Sequence, residues 1–310
     1  MLFRLIRLPN LIIVAVTQAL IYYQLLHKTF RNYSLTSSFN SFEFVLFVIA
    51  TILITASGYI INDIYDIETD KINKPDKRII QVHLSESNAW KIYFSMIITG
   101  ALISLYLAVQ RNDLLYWFIY PSAVYLLYGY SRWFKGIPYL GNILVSLFCA
   151  TVPGIFYLSE ASILIELKIK DLSSFLTLHG LLLSYVIFAF LTNLYREIVK
   201  DLQDEAGDKL ANINTAAVYF GKKTTKFVAL FIALIISMVI TFTFSQAIFS
   251  NIPNLFALQC LLIQIPLSVS ILKLILAKED KAFRNVGLWI KLIMINGLIL
   301  ITYLTINPYG

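Results

Sequence analysis

Apolar residues gather in nine runs, near 8–26, 42–62, 90–110, 114–131, 141–159, 174–195, 225–249, 254–277 and 286–306, with short polar stretches between them. A helix rises about 1.5 Å per residue, so each run is long enough to cross about 30 Å of hydrocarbon. A helix also satisfies its own backbone groups where no water can. The pattern predicts an all-α, polytopic membrane protein. No Pro-, Gly- or Ser-rich linker divides the chain, so residues 1–310 are expected to form a single domain. The first run follows Arg4 and Arg7 and so resembles a signal sequence. It is too long for a typical signal core and has no clear small-residue cleavage site before His27 and Lys28, which predicts a retained span.

Composition agrees with the pattern. Hydrophobic residues make up 58% of the chain, charged residues 14%, and the mean hydropathy is +0.74. That excludes a disordered chain, a secreted disulfide scaffold and a water-soluble enzyme. Lys and Arg divide 20 to 5 between the two sides of the expected topology, the five being Lys28, Arg31, Arg111, Lys168 and Lys170. The positive-inside rule then places the N-terminus in the cytoplasm of a multi-pass plasma-membrane protein. A net charge of +7 raises the question of nucleic acid. The basic residues are dispersed between apolar spans, which fits topology and anionic lipid instead. Cys149 and Cys260 lie in apolar runs without metal spacing and read as packing residues.

The acids change the picture. Ten of the 18 Asp and Glu fall in windows 62–76 and 197–208. Asn62, Asp66 and Asp70 recur every four residues and would share a helix face. Asp201, Asp204 and Asp208 fall within about 60° of one another on a helical wheel. Both windows end spans on the same predicted cytoplasmic face. So many carboxylates need cations, and Mg²⁺ suits oxygen donors shared with substrate phosphates. Two acidic rows at the rim of an apolar bundle suit a diphosphate head on a hydrocarbon tail. The chain has 45 aromatic residues, whose π faces stabilise carbocations.

Other features carry less. His27, His83 and His179 lack ligand spacing; Pro121, Pro153 and Pro266 are expected to kink spans; Gly58, a turn before Asn62, is expected to allow close helix approach. The windows lie four helices apart, so any internal repeat would be parallel. That weighs against the competing reading, a cation-coupled transporter built on inverted repeats.

The first window resembles the Asn-Asp-x-x-Asp-x-x-x-Asp motif of the UbiA superfamily of intramembrane prenyltransferases, through Asn62, Asp63, Asp66 and Asp70. Lys74-Pro-Asp-Lys-Arg78 is similar to the basic residues that follow that motif, and Asp201, Asp204 and Asp208 resemble the family's second acidic motif. The resemblance covers essentially the whole chain. It implies nine helices around a central cavity, a cytoplasmic cap formed by loops 2–3 and 6–7, and Mg²⁺-dependent transfer of a prenyl group from a prenyl diphosphate. It makes Asn62, Asp66, Asp70, Asp201, Asp204 and Asp208 ligands of Mg²⁺ and diphosphate, with Asp66, Asp70, Asp204 and Asp208 catalytic. Asn62, Arg78, Lys135 and Lys200 are expected to contact the diphosphate, with lesser roles for Asp63, Tyr130 and Arg196. The stretches 196–208, Asn214-Thr, Tyr219-Phe-Gly221 and 135–142 are most similar to a branch that joins a geranylgeranyl group to a hydroxyl of geranylgeranylglyceryl phosphate, making an ether lipid. Departures at Leu202-Gln203 and Lys209-Leu-Ala-Asn212 leave an aromatic quinone precursor open as the acceptor.

Overall fold

Three of the long helices begin at side-chain caps. Asn40 and Glu43 form a reciprocal capping box, each side chain accepting the other's backbone N–H at 2.9 Å, and start α2 (Ser41–Tyr65). Ser85 caps α3 (Glu86–Arg111), and Asp171 caps α6 (Leu172–Leu210) by accepting the Ser173 and Ser174 amides. The computed structural model describes residues 2–73, 78–249 and 253–306, so the Lys74–Lys77 part of the expected cap lies outside the described residues. The remaining principal helices are α1 (Leu8–Asn32), α4 (Leu115–Gly129), α5 (Leu140–Gly154), α7 (Ala216–Phe249), α8 (Leu255–Leu276) and α9 (Asp280–Ile306). No strand occurs among the described residues.

Eight helical stretches among the described residues are long and apolar enough to cross a membrane, and the chain is an integral membrane protein. The other expected span, 114–131, is helix α4, which contains Pro121 and continues as a π-helical turn, Tyr130–Phe134; it is not among the eight. The sixth run is the largest surprise in length. Rather than stopping near 195, α6 has 39 residues, or about 58 Å at the α-helical rise. That exceeds the roughly 40–45 Å of a bilayer with its headgroups, so the helix carries its acidic end out of the hydrocarbon.

The helices form two groups. In one, α3 and α4 pack on α2; in the other, α5, α7 and α9 pack on α6, with α8 against α9. Helix α1 bridges them, touching α2 and α5, while its π-helical stretch Leu20–His27 meets α9. In lipid the hydrophobic effect does not drive helices together, and close approach or interhelical hydrogen bonds must. Both occur. A side chain on Gly100 of α3 would overlap Tyr120 of α4, and one on Gly297 of α9 would overlap Phe188 of α6. At Gly58 of α2 an added Cβ would stand 3.3 Å from Leu127 of α4, a tight approach of those two helices. The α1–α2 seam carries a ladder: Arg7 to Asp63 at 2.7 Å, Asn10 to Tyr59 at 3.2 Å and Gln18 to Thr51 at 3.1 Å. At roughly 0.6 kcal/mol for an average bond of this kind, the ladder contributes on the order of 2 kcal/mol to docking α1.

Candidate active site

The first acidic row sits on a helix that breaks. Helix α2 ends at Tyr65, Asp66 leaves helical geometry (φ −90°, ψ 3°), and a short helix resumes at Ile67–Asn73. The hydrogen-bond ladder survives the bend, since Asp66 N–H reaches Asn62 O at 2.9 Å and Asp70 N–H reaches Asp66 O at 2.7 Å. The four-residue spacing therefore keeps Asn62, Asp66 and Asp70 on one side. Asp66 is buried, and its Oδ2 accepts from Asn62 Nδ2 at 2.6 Å and from Lys135 Nζ.

Lys135 reaches Asp66 because the chain doubles back tightly after it. Tyr139 takes a positive φ of 61°, and Gly141 approaches the Lys135 backbone so closely that an added Cβ would meet its carbonyl at 3.1 Å. Glycine at 141 thus lets α5 start directly beneath Lys135. One residue on, Asn142 donates to Asp201 Oδ2 at 3.0 Å, tying α5 to the second acidic row.

That row lies entirely on α6. Asp201, Asp204 and Asp208 follow Arg196, Glu197 and Lys200 along the same helix. Buried Glu197 is held between Arg196 at 2.6 Å and Lys200 at 3.7 Å, and Gln203 donates to Asp204 at 3.0 Å. At the start of α1, Arg7 has a left-handed backbone (φ 53°, ψ 53°), bonds Asp63 and lies 4.6 Å from the Tyr59 ring centroid. Burial opposes its charge, but Asp63 and Tyr59 outweigh that, and the Arg7 pKa is raised.

One cavity of about 1830 Å³ joins these groups. Asn62, Asp63, Asp66 and Asp70 line it from one helix group; Arg196, Lys200, Asp201, Asp204 and Asp208 line it from the other. Tyr130 and Lys135, on the connection between α4 and α5, complete the mouth. Arg78 is not among the lining residues, and among the described residues its buried Nε has no hydrogen-bond partner. Sequence reasoning missed Arg7, Asn142 and Glu197, all of which line the cavity. Arg7 reads in sequence as a topology signal. Asn142 offered a signal, being polar at the start of an apolar run. Below the charged mouth, apolar side chains extend the cavity along α2 from Asp66 to Phe47, a depth of about 28 Å at the helical rise.

Among the described residues no three His, Cys, Asp or Glu side chains form a ready-made metal cage. The donor set is nonetheless hard oxygen, carboxylates and one amide, spread over two facing rows. Mg²⁺ commonly takes one or two carboxylates and fills its sphere with water and substrate phosphates. The donors fit an ion shared with a diphosphate.

An all-helical membrane bundle whose cavity joins a carboxylate-lined mouth to a deep apolar interior defines an intramembrane enzyme for substrates with a charged head and an apolar chain. Residues 33–293 match the UbiA prenyltransferase family, and the chain belongs to that family. It is 34% identical over 223 residues to the digeranylgeranylglyceryl phosphate synthase of Hyperthermus butylicus, covering 72% of this chain and 68% of that one. Its identity to the enzyme of the same name from Sulfolobus acidocaldarius is 33%, over 60% of each chain. The fold is similar to a solved structure concerning digeranylgeranylglyceryl phosphate synthase in membranes, with a TM-score of 0.62, 21% identity and coverage of 99% of this chain and 98% of the other. It is also similar to a UbiA homolog from Archaeoglobus fulgidus bound to GPP and Mg²⁺, with a TM-score of 0.54, 16% identity and coverage of 97% and 99%.

Proposed function

We propose that the protein transfers a geranylgeranyl group from its diphosphate to a hydroxyl of geranylgeranylglyceryl phosphate, forming an ether lipid, with residues 1–310 acting as one domain on the cytoplasmic side of the plasma membrane. The observation that carries this reading is the cavity itself. Ligand pockets for drug-sized molecules hold roughly 300–1,000 Å³. At about 1830 Å³, with one charged end and an apolar body, this cavity has room for two long-chain substrates side by side. Similarity to the synthases of Hyperthermus and Sulfolobus supports the same acceptor.

Asn62, Asp66, Asp70, Asp201, Asp204 and Asp208 would hold Mg²⁺ together with the diphosphate; when bound, the ion neutralises the leaving group's charge. Lys135 and Lys200 approach from opposite sides of the mouth and contact diphosphate oxygens, a charge-assisted interaction that strengthens as the C–O bond breaks. Arg196 neutralises Glu197 and keeps the α6 row from carrying an additional unpaired carboxylate. Tyr130 lines the cavity beside Lys135, and its π face would stabilise positive charge developing on the prenyl chain. The surrounding helices exclude water, which would otherwise capture the allylic cation. The acceptor oxygen forms the new C–O bond, and its proton leaves to a carboxylate of the α6 row or to the departing diphosphate.

The test is purified protein with Mg²⁺, labelled geranylgeranyl diphosphate and competing acceptors. Label in the ether of geranylgeranylglyceryl phosphate is expected. Label in dihydroxynaphthoate instead would overturn the acceptor, and no transfer to any acceptor would overturn the reaction.

A further inference from the structure

We infer that Arg132, Tyr65 and Tyr128 form a second anion site, outside the cavity, which holds the phosphate of an anionic membrane lipid. The site is separate from the transfer reaction and does not depend on which acceptor the enzyme uses.

The cluster joins three elements at the membrane face that carries the acidic rows. Tyr65 ends α2 just before Asp66, Tyr128 lies in the last turn of α4, and Arg132 is on the π-helical turn that precedes Lys135. Asp66 and Lys135 line the cavity, whereas Tyr65, Tyr128 and Arg132 do not. Arg132 is exposed, so the cluster opens on the outer surface of the bundle.

Its hydrogen bonds end in donors. Arg132 Nη1 donates to the Tyr128 hydroxyl at 3.1 Å and to the Tyr65 hydroxyl at 3.3 Å. The two hydroxyls are themselves 3.0 Å apart. Whichever tyrosine donates to the other, one hydroxyl proton is left over, together with the N–H groups of Nη2 and Nε. Among the described residues no carboxylate or carbonyl takes them. Neighbouring cations are neutralised by acids: Arg7 by Asp63, Lys135 by Asp66 and Lys71 by Glu68. Arg132 rests on two hydroxyls instead, which leave its charge whole. A positive site that offers only donors takes an anion, and a guanidinium matches phosphate with two parallel N–H bonds.

The surroundings select a lipid phosphate. Trp90 meets Tyr65 edge-on with ring centroids 6.5 Å apart, and Trp133 meets Tyr128 edge-on at 5.9 Å. Phe94 stacks on Trp90 at 5.7 Å, and the Arg132 guanidinium carbon lies 5.8 Å from the Trp133 ring centroid. None of these three rings lines the cavity, and Phe94 and Trp133 are half exposed. Trp and Tyr gather where hydrocarbon meets headgroups, because their rings suit the first and their polar tips the second. Arg132 therefore stands at the depth of the lipid phosphates. A free phosphate gains only the donors there, whereas a lipid also lays its first methylenes against Phe94 and Trp133. Anionic lipid is drawn to such a cation before it docks.

The experiment titrates the full chain in detergent with dioleoyl phosphatidylglycerol and counts bound lipid by native mass spectrometry. Arg132→Gln is expected to weaken the binding of one lipid about tenfold, the effect of losing one charge-assisted contact. Arg284→Gln removes an exposed cation near the start of α9 and is expected to change nothing. Tyr128→Phe keeps the ring, removes the hydroxyl and is expected to weaken the same lipid by a smaller factor. Equal losses in Arg132→Gln and Arg284→Gln would mean attraction to net charge alone and overturn the site. Unaltered binding in both Arg132→Gln and Tyr128→Phe overturns it too. Inorganic phosphate at the concentration of the lipid is expected to leave it bound; displacement would overturn the assignment to a lipid.

Discussion

Asn142 and Asp201 are 59 residues apart, and the Asn142 amide donates to one carboxylate oxygen of Asp201 at 3.0 Å. Asn142 sits at the start of α5 and Asp201 at the mouth of α6, so the bond fixes the rotamer of an acid whose own helix leaves it free to swing. An outer partner of this kind typically accounts for 10–100-fold in metal affinity or activity.

Asn142→Ala is therefore expected to raise the Mg²⁺ concentration needed for half-maximal rate by about tenfold or more. Rate against Mg²⁺ concentration checks this. An unchanged Mg²⁺ dependence would show that Asp201 needs no partner.

Asp66→Ala and Asp204→Ala remove one acid from each row. Each is expected to lower the rate by about 10²–10³, the range seen when a group stabilising developing charge is deleted. The variants should still elute as folded protein in detergent. Full activity in either would remove that residue from the site.

Lys135 pairs with Asp66 across the two helix groups. Replacing it by Met leaves the row without that cation and removes a contact to the diphosphate. The expected outcome is a rise in KM for the prenyl diphosphate of about tenfold, the effect of losing one charge-assisted hydrogen bond. Steady-state kinetics with varied donor measure it.

Glycines 180 and 297 should respond to alanine with opposite sign. Gly297 packs against Phe188, and overfilling such a contact costs about 1–3 kcal/mol. Gly180 has open space around the position a Cβ would take, so Gly180→Ala gains helix propensity, about 0.5–1 kcal/mol. Melting temperatures in one detergent compare the two directly.

Glu160, fully buried beyond α5, supplies a pH dependence away from the active site. Burial disfavours its charge and raises its pKa, although the Ser38 amide at 2.8 Å and the Arg111 guanidinium act the other way. The folded state thus holds this proton more tightly than the unfolded chain. Its contribution is complete below the ordinary carboxylate range, about pH 4, and is lost as pH rises through the raised value. Glu160→Gln, which cannot titrate, should flatten that part of the melting profile.

The hydrophobic runs and the acidic windows were readable because each depends on neighbours a few residues away in sequence. Spacing alone brought Asn62, Asp66 and Asp70 to one side, and the fold keeps them there despite the break at Asp66. What spacing could not supply was the partner across the seam. Arg7 looks like a topology signal until α1 docks beside α2 and Asp63 takes its charge. Arg78 follows the first motif closely in sequence, yet it is absent from the cavity lining. The limits of α6 were hidden for another reason. Hydropathy falls where the helix leaves lipid, but its backbone hydrogen bonds continue to Leu210.

The two acidic rows differ in how they are carried. The α6 row stands on one unbroken helix seated in the membrane, whereas Asp70 lies past the bend at Asp66, on a separate short helix. The bend aims Asp70 back across the mouth, and the short helix that carries it packs against α6, so the two rows are braced against each other at the end where the head of a substrate would sit.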